Sequence, residues 1–239
     1  MLSNRILFIL KNKSIYQNAQ QRVIYFGSHI TRNFSTKNKP NIAEKYGNDN
    51  NSGFKNFLKR FNLFDYTSIK LKVSGYVVYE SIVDNTDYTS FFEKYNLPDT
   101  FYTWFVVTEL HIWILSVRAL AEGDDGRTIR NAMIEALWTD VQRRGKKLLI
   151  PSSELSRQIN ELAAQFNAAL IGYDEGLLSE DDRILAGALW RRIFQQKCSS
   201  AQELDALTEY VRHQISHYDK LSKEELFERR DNIIWSDGK

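Results

Sequence analysis

Residues 97–120 read LPDTFYTWFVVTELHIWILSVRAL, and this stretch decides the fold. Between Phe101 and Val117 its only ionised side chain is Glu109. Pro98 and Asp99 make a helix start, with the proline just outside and the carboxylate placed to cap the first free N–H groups. At about 100° per residue, Phe101, Trp104, Phe105, Ile112 and Leu115 share one face, while Val106, Leu110, Trp113 and Val117 share the other. A helix that is apolar all round is either the buried centre of a globular domain or a membrane span. The uncharged run is shorter than the roughly 20 residues a bilayer crossing needs, and Glu109 interrupts it, so a central core helix is expected.

The rest of the chain supplies helices to surround it. Eleven glycines and three prolines in 239 residues favour long helices over many-stranded sheets. Phe54, Phe57, Leu58 and Phe61 recur at helical spacing. The run from Ile69 to Val83 is ambiguous: Ile69, Leu71 and Val73 alternate like a strand, while Ile69, Val73, Tyr76, Val77 and Val83 also fit a helix. Thr86–Tyr95 reads as a short helix and Glu122–Gly126 as a compact turn. Ile129, Ala132, Met133, Ala136, Leu137, Val141 and Leu148 mark a long amphipathic helix with Arg130, Glu135, Gln142 and Arg143 outward. After Pro151, the stripe Leu155, Ile159, Leu162, Ala163, Phe166 and Leu170 marks another, which Gly172 is expected to stop. Gly172–Gly176 then reads as a turn, with Ser179 and Asp182 opening a helix that carries Leu185, Ala188, Leu189 and Phe194. Ser200–Glu203 and Ser222–Glu225 read as capping boxes, and Ile233–Trp235 as an apolar tag docked on the domain. The fold class expected is all-α, an irregular antiparallel helical bundle around a central apolar helix.

Charge divides the chain unevenly. No Asp or Glu precedes Glu44, whereas Arg5, Lys11, Lys13, Arg22, Arg32, Lys37 and Lys39 all do. A basic, acid-free, Ser-containing start with Leu2, Ile6, Ile9 and Leu10 on one helical face has the pattern of a mitochondrial transit peptide. Arg32-Asn-Phe-Ser35 offers a processing site, which gives a transit peptide over 1–34. Removing it leaves 27 basic against 30 acidic residues, a mildly acidic protein. Residues 35–53 are polar and asparagine-rich, a linker that does not order itself, and the folded domain is expected over 54–239.

Enzyme chemistry finds no foothold. The lone Cys198 excludes an intramolecular disulfide or a multi-cysteine zinc site. His213 and His217 are four apart, but Gln214 stands where a metalloprotease needs glutamate, and the pair reads as exposed helix histidines. Asp174, Glu175, Glu180, Asp181 and Asp182 lack the alternating pattern of a calcium loop. His111 reads as a hydrogen-bonded core histidine, and no glycine-rich phosphate loop or nucleophile–base pair occurs. No catalytic residue, metal or cofactor is expected. Arg143-Arg-Gly-Lys-Lys147 is a basic cluster, read either as a solvated helix end or as a ribosome- or RNA-facing patch made of Arg143, Arg144, Lys146 and Lys147.

Several stretches together resemble the ubiquinol–cytochrome c chaperone family. They are Pro98-Asp-Thr-Phe-x-x-Trp-Phe105 with His111-x-Trp113, Leu137-Trp-x-Asp-Val-Gln-x-Arg-Gly145, Leu170-Ile-Gly-Tyr-Asp-Glu-Gly-Leu-Leu-Ser179, and Ala188-Leu-Trp-Arg191. The likeness runs from about Leu71 to Tyr218. It implies a non-enzymatic factor of the mitochondrial matrix, at the inner membrane, that assembles respiratory complex III. It further implies a small helical co-chaperone, contact with the mitochondrial ribosome, and newly synthesised cytochrome b as client. It also favours helix over strand for Ile69–Val83. Glu109 departs from the family, which tends to be apolar there.

Candidate partner or client residues follow. Phe105, Val106, Ile112 and Trp113 lie within one helical turn of Glu109 and are all apolar, so the carboxylate is either paired with a base from another helix or set at an interface. The expectation is that the Glu109 side faces a groove or partner, with Trp113 on its rim. Trp104, Glu109, Trp113, Trp138, Tyr173, Asp174 and Glu175 are the residues expected to meet a partner. Two other functions fit the same sequence: a mitochondrial RNA- or ribosome-associated helical protein, and a lipid- or haem-carrying one whose apolar helix lines a cavity.

Overall fold

Thr100, not Asp99, caps the central helix. Its hydroxyl accepts a hydrogen bond from the Thr103 amide at 3.1 Å, one residue later than expected. The computed structural model describes residues 52–197, 200–229 and 232–235, with side chains from residue 68 onward. The predicted transit peptide and nearly all of the linker lie outside the described residues. Among those described are eight helices and no strand: α1 (Ser52–Asn85), α2 (Tyr88–Lys94), α3 (Phe101–Leu120), α4 (Gly123–Lys147), α5 (Ser152–Leu178), α6 (Asp182–Arg192), α7 (Ala201–Asp219) and α8 (Lys223–Phe227). The all-α expectation holds, and Ile69–Val83 lies inside the continuous helix α1.

Every residue of α3 from Thr103 to Leu120 is buried. Among the described residues α3 is the one helix long and apolar enough to cross a bilayer, yet its whole apolar window is covered by the domain. The expected shortness is thus corrected, since the helix reaches bilayer length, and it is burial rather than length that makes α3 the core helix. Helices α1, α4 and α7 pack around it, α1 also lies along α4, and the α5–α6 hairpin bridges α4 and α7.

Local chemistry and packing correct the sequence reading at three points. Gly123 holds φ +64° at the α3–α4 reversal, so the expected turn at Glu122–Gly126 is mostly the first turn of α4. Arg130, expected outward, is buried, because α4 is packed by α3 on one side and α1 on the other. The expected turn at Gly172–Gly176 is uninterrupted α5 helix. Gly176 serves a close crossing rather than a reversal, since a Cβ there would stand 2.5 Å from the Leu185 Cα of α6. The chain turns instead at Ser179–Asp181. There the Ser179 hydroxyl accepts from the Asp181 amide and the Asp181 carboxylate caps α6, both at 3.0 Å.

The C-terminal elements dock as expected. Ser200 caps α7 by accepting from the Gln202 amide at 3.2 Å, two residues on rather than three as the expected box has it, and Ser222 with Glu225 forms the reciprocal box that starts α8. Ile233 is buried, and its carbonyl accepts from the Asn85 side-chain Nδ2 at 2.7 Å. Trp235 lies edge-on to His111 with ring centres 4.1 Å apart.

Candidate functional site

Glu109 leaves the middle of α3 with no access to solvent, in a wall of apolar side chains. A carboxylate so placed requires a partner, and Arg192, the last residue of α6, supplies a two-pronged one. Its Nε donates to Oε1 at 2.8 Å and its Nη2 to Oε2 at 2.6 Å. The remaining guanidinium nitrogen donates to Gln165 at 2.8 Å and to the Tyr102 hydroxyl at 3.2 Å. Burial pushes the Glu109 carboxyl up, to about 7, against the opposing pull of the Arg192 hydrogen bonds and charge. Burial alone would lower Arg192, but the same carboxylate more than offsets it and holds the guanidinium protonated. Arg192 sits three residues after Leu189 and seven after Leu185, on the α6 core stripe, so the spacing that found those leucines also reaches it.

Beside the pair, the Trp113 indole donates to the Asp174 carboxylate at 2.8 Å and packs on Tyr173, ring centres 5.0 Å apart. Glu109, Trp113, Tyr173 and Asp174, nominated from distant stretches, thus meet in one place. That place is inside the protein. The expected groove with Trp113 on its rim is corrected: Glu109 and Tyr173 are fully covered, Trp113 is 2% exposed and Asp174 7%. The carboxylate found its base on α6 and so needs no interface. Trp138 is also buried, between Phe105 and Phe166. Trp104 is buried beneath the Arg144 guanidinium, 4.1 Å above its ring. Among the residues expected to meet a partner, Glu175 is the one exposed.

His111 is the core histidine its surroundings predict. Nδ1 lies 2.7 Å from the Val107 carbonyl, which accepts only, so Nδ1 carries the proton and Nε2 accepts from the Tyr210 hydroxyl at 2.8 Å. Burial lowers its pKa from 6.5 to about 4, the Val107 bond opposing weakly. A depressed histidine stabilises the fold fully above its unfolded pKa and loses that contribution as pH falls. Between pH 6.5 and 4 the loss amounts to about 3 kcal/mol. Denaturant titration of the natural protein and of His111→Gln, at both ends of this window, isolates it, because Glu109 titrates in both. The stability advantage of the natural protein shrinks by about 3 kcal/mol on acidification. A constant advantage refutes the neutral buried state.

The basic cluster ends α4, away from the ion pair in sequence and helix. Asp140, buried below it, accepts from Arg143 at 2.8 Å, Arg144 at 2.9 Å and the Tyr79 hydroxyl at 2.9 Å. Partial burial would raise Asp140, yet these bonds hold it below the ordinary carboxylate range. Arg143, Lys146 and Lys147 reach solvent. Sequence reasoning missed what lies next to them: Leu148 is 59% and Leu149 87% exposed.

The family model described as ubiquinol-cytochrome C chaperone matches residues 93–232, a span that holds α3 to α8, the buried pair and the basic end. The ubiquinol-cytochrome c reductase complex assembly factor 1 of Drosophila melanogaster is 42% identical over 206 residues, 84% of this chain and 78% of that protein. Its Homo sapiens namesake is 38% identical over 203 residues, 83% of this chain and 66% of that protein. Protein CBP3, mitochondrial, of Saccharomyces cerevisiae is 32% identical over 139 residues, 56% of this chain and 41% of that protein. No solved structure matches. The chain belongs to the ubiquinol-cytochrome C chaperone family.

Proposed function

We propose that this chain is a non-enzymatic assembly chaperone for respiratory complex III. It holds newly synthesised cytochrome b in the mitochondrial matrix beside the inner membrane. It does so with a small helical co-chaperone, near the mitochondrial ribosome. The observation that carries the proposal is the family match over 93–232, joined by relatives that are named assembly factors of the ubiquinol–cytochrome c reductase complex. The acid-free basic start, with its processing pattern at Arg32–Ser35, supports import into mitochondria. The buried polar groups support a structural role for the core: Glu109, Asp174 and His111 are each bonded to protein side chains and shielded from any substrate.

Two measurements test this. Depletion of the protein lowers complex III on native gels while the other respiratory complexes persist. A tagged full chain, purified from mitochondria after pulse labelling, recovers cytochrome b among the newly made polypeptides, together with a small helical protein. Normal complex III after depletion refutes the assembly role. Recovery of a different labelled polypeptide refutes the client.

A further inference from the structure

The turn that closes α4 is built as a helix C-cap that ordinarily holds glycine. The Leu149 amide bonds to the Lys146 carbonyl at 3.1 Å and the Ile150 amide to the Gly145 carbonyl at 3.3 Å, with Leu149 itself at φ +58°. This is the Schellman arrangement, whose left-handed position favours a residue without Cβ. Leucine there works against backbone preference, and at 87% exposure it gains no packing in return. Leu148 beside it is 59% exposed. Folding explains neither side chain.

Their setting points to what they meet. Residues 140–149 carry Arg143, Arg144, Lys146 and Lys147 against the single acid Asp140, in a chain whose residues 35–239 are net acidic. The Asp140 side chain is 6% exposed and lies below the two arginines, so cations face outward. Glu154, the acid in the first turn of α5, is engaged by Arg157 at 2.5 and 2.9 Å. Two projecting aliphatic side chains ringed by lysine and arginine match the layering of a bilayer surface, with phosphates outside and acyl chains within. RNA fits less well. Single-stranded RNA sites offer aromatic or guanidinium planes to bases; here the exposed apolar groups are leucines, the Arg144 plane is occupied by Trp104, and the exposed Arg143 guanidinium is held along its edge by Asp140.

We propose that the Leu148–Leu149 tip and its basic collar dock the protein on an anionic phospholipid surface. The leucines enter the boundary between headgroups and acyl chains, while Arg143, Lys146 and Lys147 lie level with the phosphates. This deepens the membrane-side placement in the proposed function and rests on it.

Vesicle flotation of the purified full chain tests it, using phosphatidylcholine alone and phosphatidylcholine mixed with an anionic phospholipid. Binding is expected on the mixed vesicles, weakening with added salt. The double variant Leu148→Ser/Leu149→Ser lowers apparent affinity by about tenfold or more. Lys146→Glu/Lys147→Glu does so by about tenfold as well. Both leave thermal unfolding unchanged, because all four side chains are exposed. Two outcomes overturn the proposal: vesicle binding that neither double variant alters, or loss only in the lysine variant with a parallel loss of binding to a ribosomal RNA hairpin. Vesicle binding needs no client, so complex III abundance in cells carrying these variants reports on the assembly role separately.

Discussion

Arg192→Ala destabilises the domain by about 3–5 kcal/mol near neutral pH, because it strands a fully buried carboxylate. Glu109 loses both of its hydrogen bonds, and Gln165 and Tyr102 lose the donor that ties α5 and the start of α3 to the end of α6. Against a total of roughly 5–15 kcal/mol for an ordinary domain, this is a large fraction. The loss depends on pH. Glu109 already titrates at about 7 with Arg192 pulling it down; without that pull its pKa rises further. The folded variant then binds a proton that the unfolded chain gives up near 4.5, so stability increases as pH falls toward that value. Adding Glu109→Leu to Arg192→Leu removes the charge with its partner and recovers most of the loss, since apolar replacements of a buried pair are often near neutral. Urea midpoints of the single and double variants at two pH values check all three expectations. A single variant as stable as the natural protein at every pH means that water reaches Glu109.

How legible this was depends on which physical signal each feature writes into sequence. The uninterrupted apolar surface of α3 and the stripe of α5 are periodic, so helix and burial are readable together. Gly172 and Gly176 were misread because glycine marks both a chain reversal and a close helix crossing; only the position of α6 tells them apart. Arg130 was misread because periodicity assigns a helix one buried side, whereas α4 has two. For Glu109 the sequence presented a carboxylate among apolar neighbours and left two solutions open, and the deciding partner lay 83 residues away. The α4 stripe reads as ending on Leu148, which is exposed, and nothing in the pattern singles out Leu149 beside it. Its exposure follows from a left-handed backbone that no composition reveals.

The candidate surfaces therefore exchange roles. Of the residues nominated as contacts, Glu109, Trp113, Tyr173 and Asp174 form an internal brace that ties α3 to α5 and α6, whereas the basic end of α4 lies exposed. Substitutions at the exposed end of α4 are therefore expected to leave the fold intact, whereas those in the brace are not.

Trp113→Ala gives the clearest separation of these two roles. The indole is 2% exposed, ranks among the largest fully buried side chains, packs against Tyr173 with the rings tilted by 46° and donates to Asp174. Its removal leaves a large cavity in the middle of α3 and takes a hydrogen bond from a buried carboxylate, a loss of about 3–5 kcal/mol. Trp113→Phe keeps most of the apolar volume but not the N–H, so it costs about 1–3 kcal/mol. Urea denaturation should thus rank the natural protein above the phenylalanine variant, and that above alanine. Partner capture measured on folded Trp113→Phe should equal that of the natural protein, because the side chain touches nothing outside the domain. Full stability in Trp113→Ala with lost capture would return Trp113 to the surface. A graded loss of stability with unaltered capture by the phenylalanine variant establishes it as part of the brace.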